Sequence, residues 1–245
     1  MSIYIRAKKT LIYLLSIQAI LVLLHIIVNI ILFKTGGQKL HGITHLFNLF
    51  EEHNFPTYFS TFILLSSSCL LMLIYYIKKN NNGKYKYQWL LLSLIFFYLS
   101  LDEFIELHER LSAPIQKILH VLPNSLEYWG WTIPYTILFI ILALYFIRFY
   151  FSLEARFRIL FFISAFLFVF GALGFELLEG SYLTSKILHV SNATKQDAYA
   201  IMSSIPYFIM VTIEEIFEMT GIIIFIYSLI EYIKKFTCDV NLKFN

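Results

Sequence analysis

The sequence contains only two cysteines, Cys69 and Cys238, and they show no paired spacing. A disulfide framework and a thiolate metal site are therefore excluded. The sequence also lacks a glycine-rich phosphate loop, a nucleophile elbow and any stretch typical of nucleic-acid binding. These absences argue against the common classes of soluble enzyme, and we expect no nucleic-acid partner.

Basic residues are almost absent from three otherwise apolar segments that together carry nine carboxylates. A charge at the middle of a bilayer costs about 2.5–3.5 kcal/mol even on the lenient insertion scale. A helical bundle with this many acids must therefore hold cations, protons or a polar substrate. The acids are Asp102, Glu103, Glu106 and Glu109 in the first segment, Glu176 and Glu179 in the second, and Glu214, Glu215 and Glu218 in the third.

Long apolar runs make up most of the chain. Its apolar fraction is 59%, whereas soluble domains have about 45–50%. A membrane span needs about 20 mainly apolar residues, and the first run, 11–33, is too long for a signal peptide and lacks a cleavage motif. The sequence predicts an all-α integral membrane bundle, one domain over 1–245, with spans at roughly 10–33, 57–78, 88–109, 133–152, 157–179 and 206–232.

The loops between these spans differ in charge. One side carries thirteen lysines and arginines, and the other side carries six. By the positive-inside rule, we expect both termini to lie in the cytoplasm. The protein is then expected in the bacterial inner (plasma) membrane, with membrane lipids as partners. All seven histidines and thirteen of the sixteen acids then lie in the outer half or in outer loops. We also expect a short interfacial helix at 114–123.

The third span must continue into its acids, because its apolar part alone would cover only about 20 Å. In a continuous helix, Asp102, Glu106 and Glu109 lie within about 60° of one another. Glu103 lies beside this stripe, and His108 points away from it.

Carboxylates at i,i+3 and i,i+4 on facing helices are a common way for bundles to form metal sites. Glu214 and Glu218 are the foremost candidates because they lie deepest in their span. A histidine nitrogen in the site would suit zinc, manganese or iron, whereas an all-oxygen set would suit calcium or magnesium. The expected ligands of a divalent metal ion are Asp102, Glu106, Glu109, His108, Glu176, Glu179, Glu214, Glu215, Glu218 and His25.

Other interpretations of these residues stay open. Glu103, Glu109 and Glu179 also suit helix ends in the headgroup region, and the acids could instead form a network of protonated carboxyls. His25 lies within the first span and needs a partner. A carboxylate or a backbone carbonyl would serve equally well.

The segments SLDEFIELHERL, FGALGFELLEG and TIEEIFEMTGIIIFIYSLIEY resemble signature segments of a group of small multi-pass bacterial membrane proteins. The patterns concerned are SLDE…HE, GAxGxE and EExxEMxG, and they coincide with the acidic clusters. The resemblance supports the choice of residues and implies no reaction. EEIFEM matches the EExxxR motif of intramembrane CAAX-type proteases poorly, because Met219 stands where the arginine belongs.

Three functions fit these features. The preferred one is a metal-dependent membrane hydrolase or transferase acting on a lipid or other amphiphile, with Asp102, Glu103 and Glu106 as catalytic acids and bases. The second is a transporter or channel for divalent cations or protons. The inner halves of the three acid-bearing helices are apolar, so that such a path would need a homo-oligomer. The third is a sensor or interaction protein with a structural ion.

Overall fold

Seven helices form the part of the chain that the structure, a computed structural model, describes: residues 6–35, 42–108, 110–111, 131–187, 190 and 195–237. These residues contain no β-strand, which confirms the predicted all-α class. Glu109 and the expected interfacial helix at 114–123 lie outside them. The helices are α1 (Ala7–Thr35), α2 (Phe55–Asn80), α3 (Lys86–Ile105), α4 (Thr132–Ser152), α5 (Ala155–Ile187), α6 (Lys195–Met202) and α7 (Ile205–Thr237).

Five of these helices, α1 to α5, are long and apolar enough to cross a membrane. They indicate a multi-pass membrane protein. The sixth predicted span, 206–232, falls on α7, which has 33 residues. This helix lies among the others and carries the third acidic segment.

α7 forms the centre of the bundle and packs against α1, α2 and α5. Its buried side chains include Met219 and Ile223, which are at most 1% exposed. At Gly221, an added Cβ would lie 2.7 Å from the backbone nitrogen of Phe168 and 2.8 Å from the carbonyl oxygen of Ser164. The backbones of α5 and α7 therefore touch here, as small residues allow in membrane bundles. This contact fixes the height at which the two helices present their acids to each other.

Polar side chains join further helices to the bundle. α3 packs on α2, where Ser68 and Ser93 each donate to the other's backbone carbonyl at 2.8 and 2.9 Å. Gln18 of α1 donates from Nε2 to the Ile216 carbonyl and the Thr220 hydroxyl of α7, both at 2.9 Å. Such bonds are an important attraction between helices in lipid, where burying apolar surface gives little preference.

α4 lies at the edge of the bundle, and its only buried residues are Thr132 and Phe149. Near one end, the Phe149 ring meets Trp89 edge-on with centroids 4.9 Å apart. Near the other end, the hydroxyls of Tyr98 and Tyr135 are hydrogen-bonded at 2.7 Å. Between these contacts α4 borders a cavity that it shares with α3 and α5.

α3 ends earlier than the predicted span 88–109. Its last residue is Ile105, and Glu106 takes the left-handed conformation with a φ of 55°. The expected continuous helix through Asp102 and Glu106 is therefore wrong, and Glu109 lies outside the described residues. The backbone N–H of His108 donates to Asp102 Oδ1 at 2.9 Å. This bond stabilises the turn at Glu106, whose left-handed conformation is uncommon for residues other than glycine.

Candidate metal centre

A π-helical segment precedes the acids of α5. Residues Phe170–Phe175 are π-helical, and the α-helix resumes at Glu176. Such π segments occur frequently at functional sites. Gly171 within it lies so close to α7 that an added Cβ would be 2.7 Å from Glu218 Cγ and 3.1 Å from the Glu214 carbonyl oxygen. The acids of α5 therefore face the acids of α7 at short range.

Three glutamates could together hold a metal ion: Glu176 and Glu179 of α5 and Glu214 of α7. One carboxylate oxygen from each lies within 4.8 Å of the others. Glu179 is only 5% exposed, and its side chain reaches Glu214 and the hydroxyl of Tyr207. Its buried Oε1 atom has no hydrogen-bond partner. Because an unpaired buried oxygen costs free energy, this position favours a ligand. Glu218, expected to be a foremost ligand, is not one of the three.

A cavity of about 240 Å³ lies beside these three glutamates, between α3, α4, α5 and α7. Glu176 and Glu214 belong both to the group of three and to the cavity wall. The three acidic segments thus meet around one space, while the roles of their residues stay predictions. The titratable side chains that line it are Asp102, Glu103, His108, Glu176, Glu214, Glu215 and Glu218, together with Tyr98 and Tyr135.

Asp102 fixes the orientation of His108 at the end of α3. Its Oδ1 accepts from the Tyr135 hydroxyl at 3.1 Å, and its Oδ2 lies 3.2 Å from His108 Nδ1. A carboxylate is an acceptor, so that Nδ1 of His108 is placed to donate this hydrogen bond. The His108 ring also packs on Trp131, with centroids 4.8 Å apart. His108 was expected to point away from the acids, and that expectation is wrong.

Two other expected site residues lie apart from this group. Glu106 pairs with His53 of the loop before α2, with Oε1 and Nε2 2.8 Å apart, and it does not line the cavity. His25 is fully buried, but Nδ1 accepts the backbone N–H of Leu49 at 3.0 Å, and Nε2 lies 3.2 Å from the Thr212 hydroxyl. Both ring nitrogens are engaged, so the arrangement does not support His25 as a metal ligand.

Glu52 is a member of the acidic group that sequence reasoning missed. The loop before α2 places it within electrostatic reach of Glu103, Glu215 and Glu218. The Thr57 hydroxyl donates to Glu52 Oε2 at 3.0 Å. The available signal was its place in a short acidic pair directly before an apolar helix. That signal alone does not show that the loop folds back onto the bundle.

The comparison with protein families bears on the whole site. Residues 14–231 match the family described as "Domain of unknown function (DUF8692)". The chain belongs to this family. The match includes all three acidic segments and most of the bundle. No curated protein and no solved structure matches the chain. Its function is therefore inferred from the chemistry of the site, since a fold by itself does not define a function.

Proposed function

We propose that this protein is a metal-dependent membrane enzyme that hydrolyses, or transfers a group from, a lipid or other amphiphile. Its metal centre consists of Glu176, Glu179 and Glu214, and the neighbouring cavity receives the substrate. The proposal depends on the environment of Glu179 Oε1. This atom is buried without a hydrogen-bond partner, in a group whose carboxylate oxygens lie within 4.8 Å of one another.

The charge of the site favours a divalent cation. Two carboxylates about 4.8 Å apart repel by roughly 3–4 kcal/mol at an effective dielectric of 20. Glu103, Glu215 and Glu218 bring three further carboxyl groups to the cavity wall, and no lysine or arginine is among the described residues that line the cavity. Three oxygen ligands suit magnesium, calcium or manganese. They also leave coordination positions for water and substrate, as catalytic metal sites require.

The residues around the cavity supply the groups that such a reaction needs. A bound metal would polarise water or a substrate oxygen. Glu215 and Glu218 lie where they can accept a proton, and His108, oriented by Asp102, is a second group suited to proton transfer. Of the three expected catalytic residues, Asp102 and Glu103 border the cavity. Glu106 does not, and we leave it out of the proposed mechanism.

Packing at the opposite end of the bundle favours an enzyme over a transporter. Trp89, Phe149, Phe161, Phe225 and Tyr232 form one buried aromatic cluster there. Trp89 lies 4.9 Å from both Phe149 and Tyr232, measured between ring centroids. Groups that conduct ions through a membrane are polar or ionisable along the path. The described residues of this cluster include no carboxylate, histidine, lysine or arginine that could conduct an ion.

Elemental analysis of the purified protein tests the metal centre. We expect a divalent metal at about one ion per chain in the wild type, and its loss in Glu179→Gln and Glu214→Gln. Glu231→Gln is the matched control, because Glu231 is also on α7 but pairs with Arg156 and Lys234 at 2.9 Å at the far end. A chelator should lower the melting temperature of the wild type and the control but not of the two variants. A wild type without metal, whose melting temperature ignores chelators, would show that protons alone balance these acids.

A further inference from the structure

The cavity beside the metal centre is polar at one end and apolar at the other. At the polar end, the Tyr98 and Tyr135 hydroxyls are hydrogen-bonded at 2.7 Å, and the Tyr135 hydroxyl donates to Asp102 at 3.1 Å. On α3, the wall runs from Asp102 back to Ile95, about 10 Å at 1.5 Å per residue. On α4, it runs over the same length from Tyr135 to Leu142. The cavity therefore extends along the helices, away from the acids.

The far end of this cavity, which we call the deep end, suits a hydrocarbon chain. It is lined by Ile95, Leu142, Phe168 and Val169. A buried water molecule needs two to four polar partners, and these side chains carry no polar atom. Cavities with such a lining stay dry and take up apolar molecules instead, because the wall gains dispersion contacts with them.

The cavity opens to the side, toward the membrane. Tyr98 of α3 and Leu138 and Phe139 of α4 line it, yet they are 37%, 48% and 40% exposed. The lining residues of α5 and α7 are not exposed in this way. The opening thus lies on the side of α3 and α4, along a stretch of α4 that has no buried residue between Thr132 and Phe149. In a membrane this side faces lipid, so that a chain can enter without crossing water.

The size of the cavity limits what it can hold. Its volume of about 240 Å³ is below the roughly 300–1,000 Å³ of pockets that enclose a whole drug-sized ligand. Its length of about 10 Å is also less than the hydrocarbon of one leaflet, about 15 Å, or half of the bilayer core. The cavity therefore has room for part of one chain, and the rest of a lipid stays among its neighbours.

We propose that one alkyl chain of a membrane lipid enters this cavity sideways between α3 and α4 and lies with its end against Ile95, Leu142 and Phe168. The headgroup then lies at the polar end, beside the metal centre. This inference rests on the proposed function, because it assigns the part of the same site that holds the substrate's chain. The residues of the deep end thereby limit how far a chain can insert.

Photolabelling with neutral probes locates the chain. Two decanols, one with a diazirine near the hydroxyl and one with a diazirine near the end of the chain, are added to the purified full-length protein in phosphatidylcholine vesicles. We expect the first to label Trp131 and Tyr135 and the second to label Ile95, Leu142 or Phe168, as found by mass spectrometry. Excess plain decanol should lower both about tenfold. Ile141, which is 58% exposed and does not line the cavity, should take up label that decanol does not displace.

A matched pair of variants tests the deep end. Leu142→Trp should fill it and lower labelling of Ile95 by the chain-end probe about tenfold. Ile141→Trp adds the same side chain on the lipid side of α4 and should leave that labelling unchanged. Unchanged labelling in a folded Leu142→Trp variant would overturn the chain site. So would wild-type labelling that decanol does not displace from the cavity residues, and this result decides even if Leu142→Trp does not fold.

Metal content measured on the same vesicles separates this inference from the proposed function. Neither Leu142 nor Ile141 belongs to the group of Glu176, Glu179 and Glu214. A wild type that holds its metal but shows no displaceable labelling of the cavity would overturn the chain site alone. Displaceable labelling of the cavity in a wild type without metal would support the chain site and overturn the proposed enzyme.

Discussion

At the scale of single residues, buried polar side chains fasten distant parts of this chain together. His25 links three parts of the chain: its own helix α1, the loop residue Leu49 and Thr212 of α7. Because the Leu49 N–H donates to Nδ1, the neutral ring carries its proton on Nε2 and donates it to Thr212. The ring also stacks on Phe208 with centroids 5.1 Å apart. The histidine is thus a structural connector beside the acidic site.

We predict that His25→Phe lowers the free energy of unfolding by about 1–3 kcal/mol, since it leaves the buried N–H of Leu49 without an acceptor. Phenylalanine keeps the stacking on Phe208, so that the loss reports the hydrogen bonds. Thr212→Val should cost less, because it removes only one partner. Combined with His25→Phe, it should add little further destabilisation. Denaturation of the three variants in detergent measures this, and full additivity would contradict the shared bond.

Some of the site could be predicted from residue types and spacing, and some could not. The meeting of Asp102, Glu176 and Glu214 at one cavity follows from three segments at a common depth, which can be worked out from helix rise alone. The left-handed turn at Glu106 could not be predicted, because it depends on a bond between Asp102 and the His108 backbone across the turn. A contact between two parts of the chain that meet only after folding leaves no pattern in the local sequence.

At the scale of helices, α5 and α7 are held together by two close glycine contacts. Gly221 of α7 touches α5 backbone, and Gly171 of the π segment touches the turn of α7 that carries Glu218. Gly171 precedes the acids of α5 and Gly221 follows those of α7, and both allow the close approach of the two helices. Gly174 does not, because an added Cβ there would meet the Phe170 ring of its own helix at 2.8 Å. The π segment itself was not predicted, since π geometry requires the tertiary contacts that hold it.

We predict that Gly221→Ala destabilises the protein by about 1–3 kcal/mol, because its Cβ would clash with backbone atoms of α5 that cannot rotate away. Gly174→Ala is the matched control, since an aromatic ring can turn aside and alanine favours the helix. Thermal unfolding of both variants in one detergent gives the comparison. If Gly174→Ala were the more harmful, α5 and α7 would not be packed backbone to backbone.

At the scale of the whole molecule, the acidic cluster and most of the described basic residues, among them Lys78, Lys84, Arg158 and Lys234, lie at opposite ends of the bundle. The acids gather around the cavity, whereas the far end holds ion pairs of Arg156 with Glu231 and of Lys235 with Glu154. Lys78 lies over the Phe236 ring there, 4.2 Å from its centroid. The helices that link these ends are apolar over most of their length. The positive-inside rule uses this difference between the two ends to predict which of them faces the cytoplasm.

We expect the acidic site to face outward and both termini to lie in the cytoplasm, because the predicted spans put thirteen of the nineteen basic residues of the sequence on the side opposite the acids. A cysteine at Lys186, exposed at the end of α5, should react with a membrane-impermeant maleimide in intact cells. A cysteine at Lys84, between α2 and α3, should react only after the membrane is opened. Both substitutions are made in a Cys69→Ser/Cys238→Ser background, so that mass spectrometry detects a single thiol. If Lys84→Cys alone were labelled in intact cells, we would conclude that the site faces the cytoplasm. Its substrate would then come from the inner leaflet.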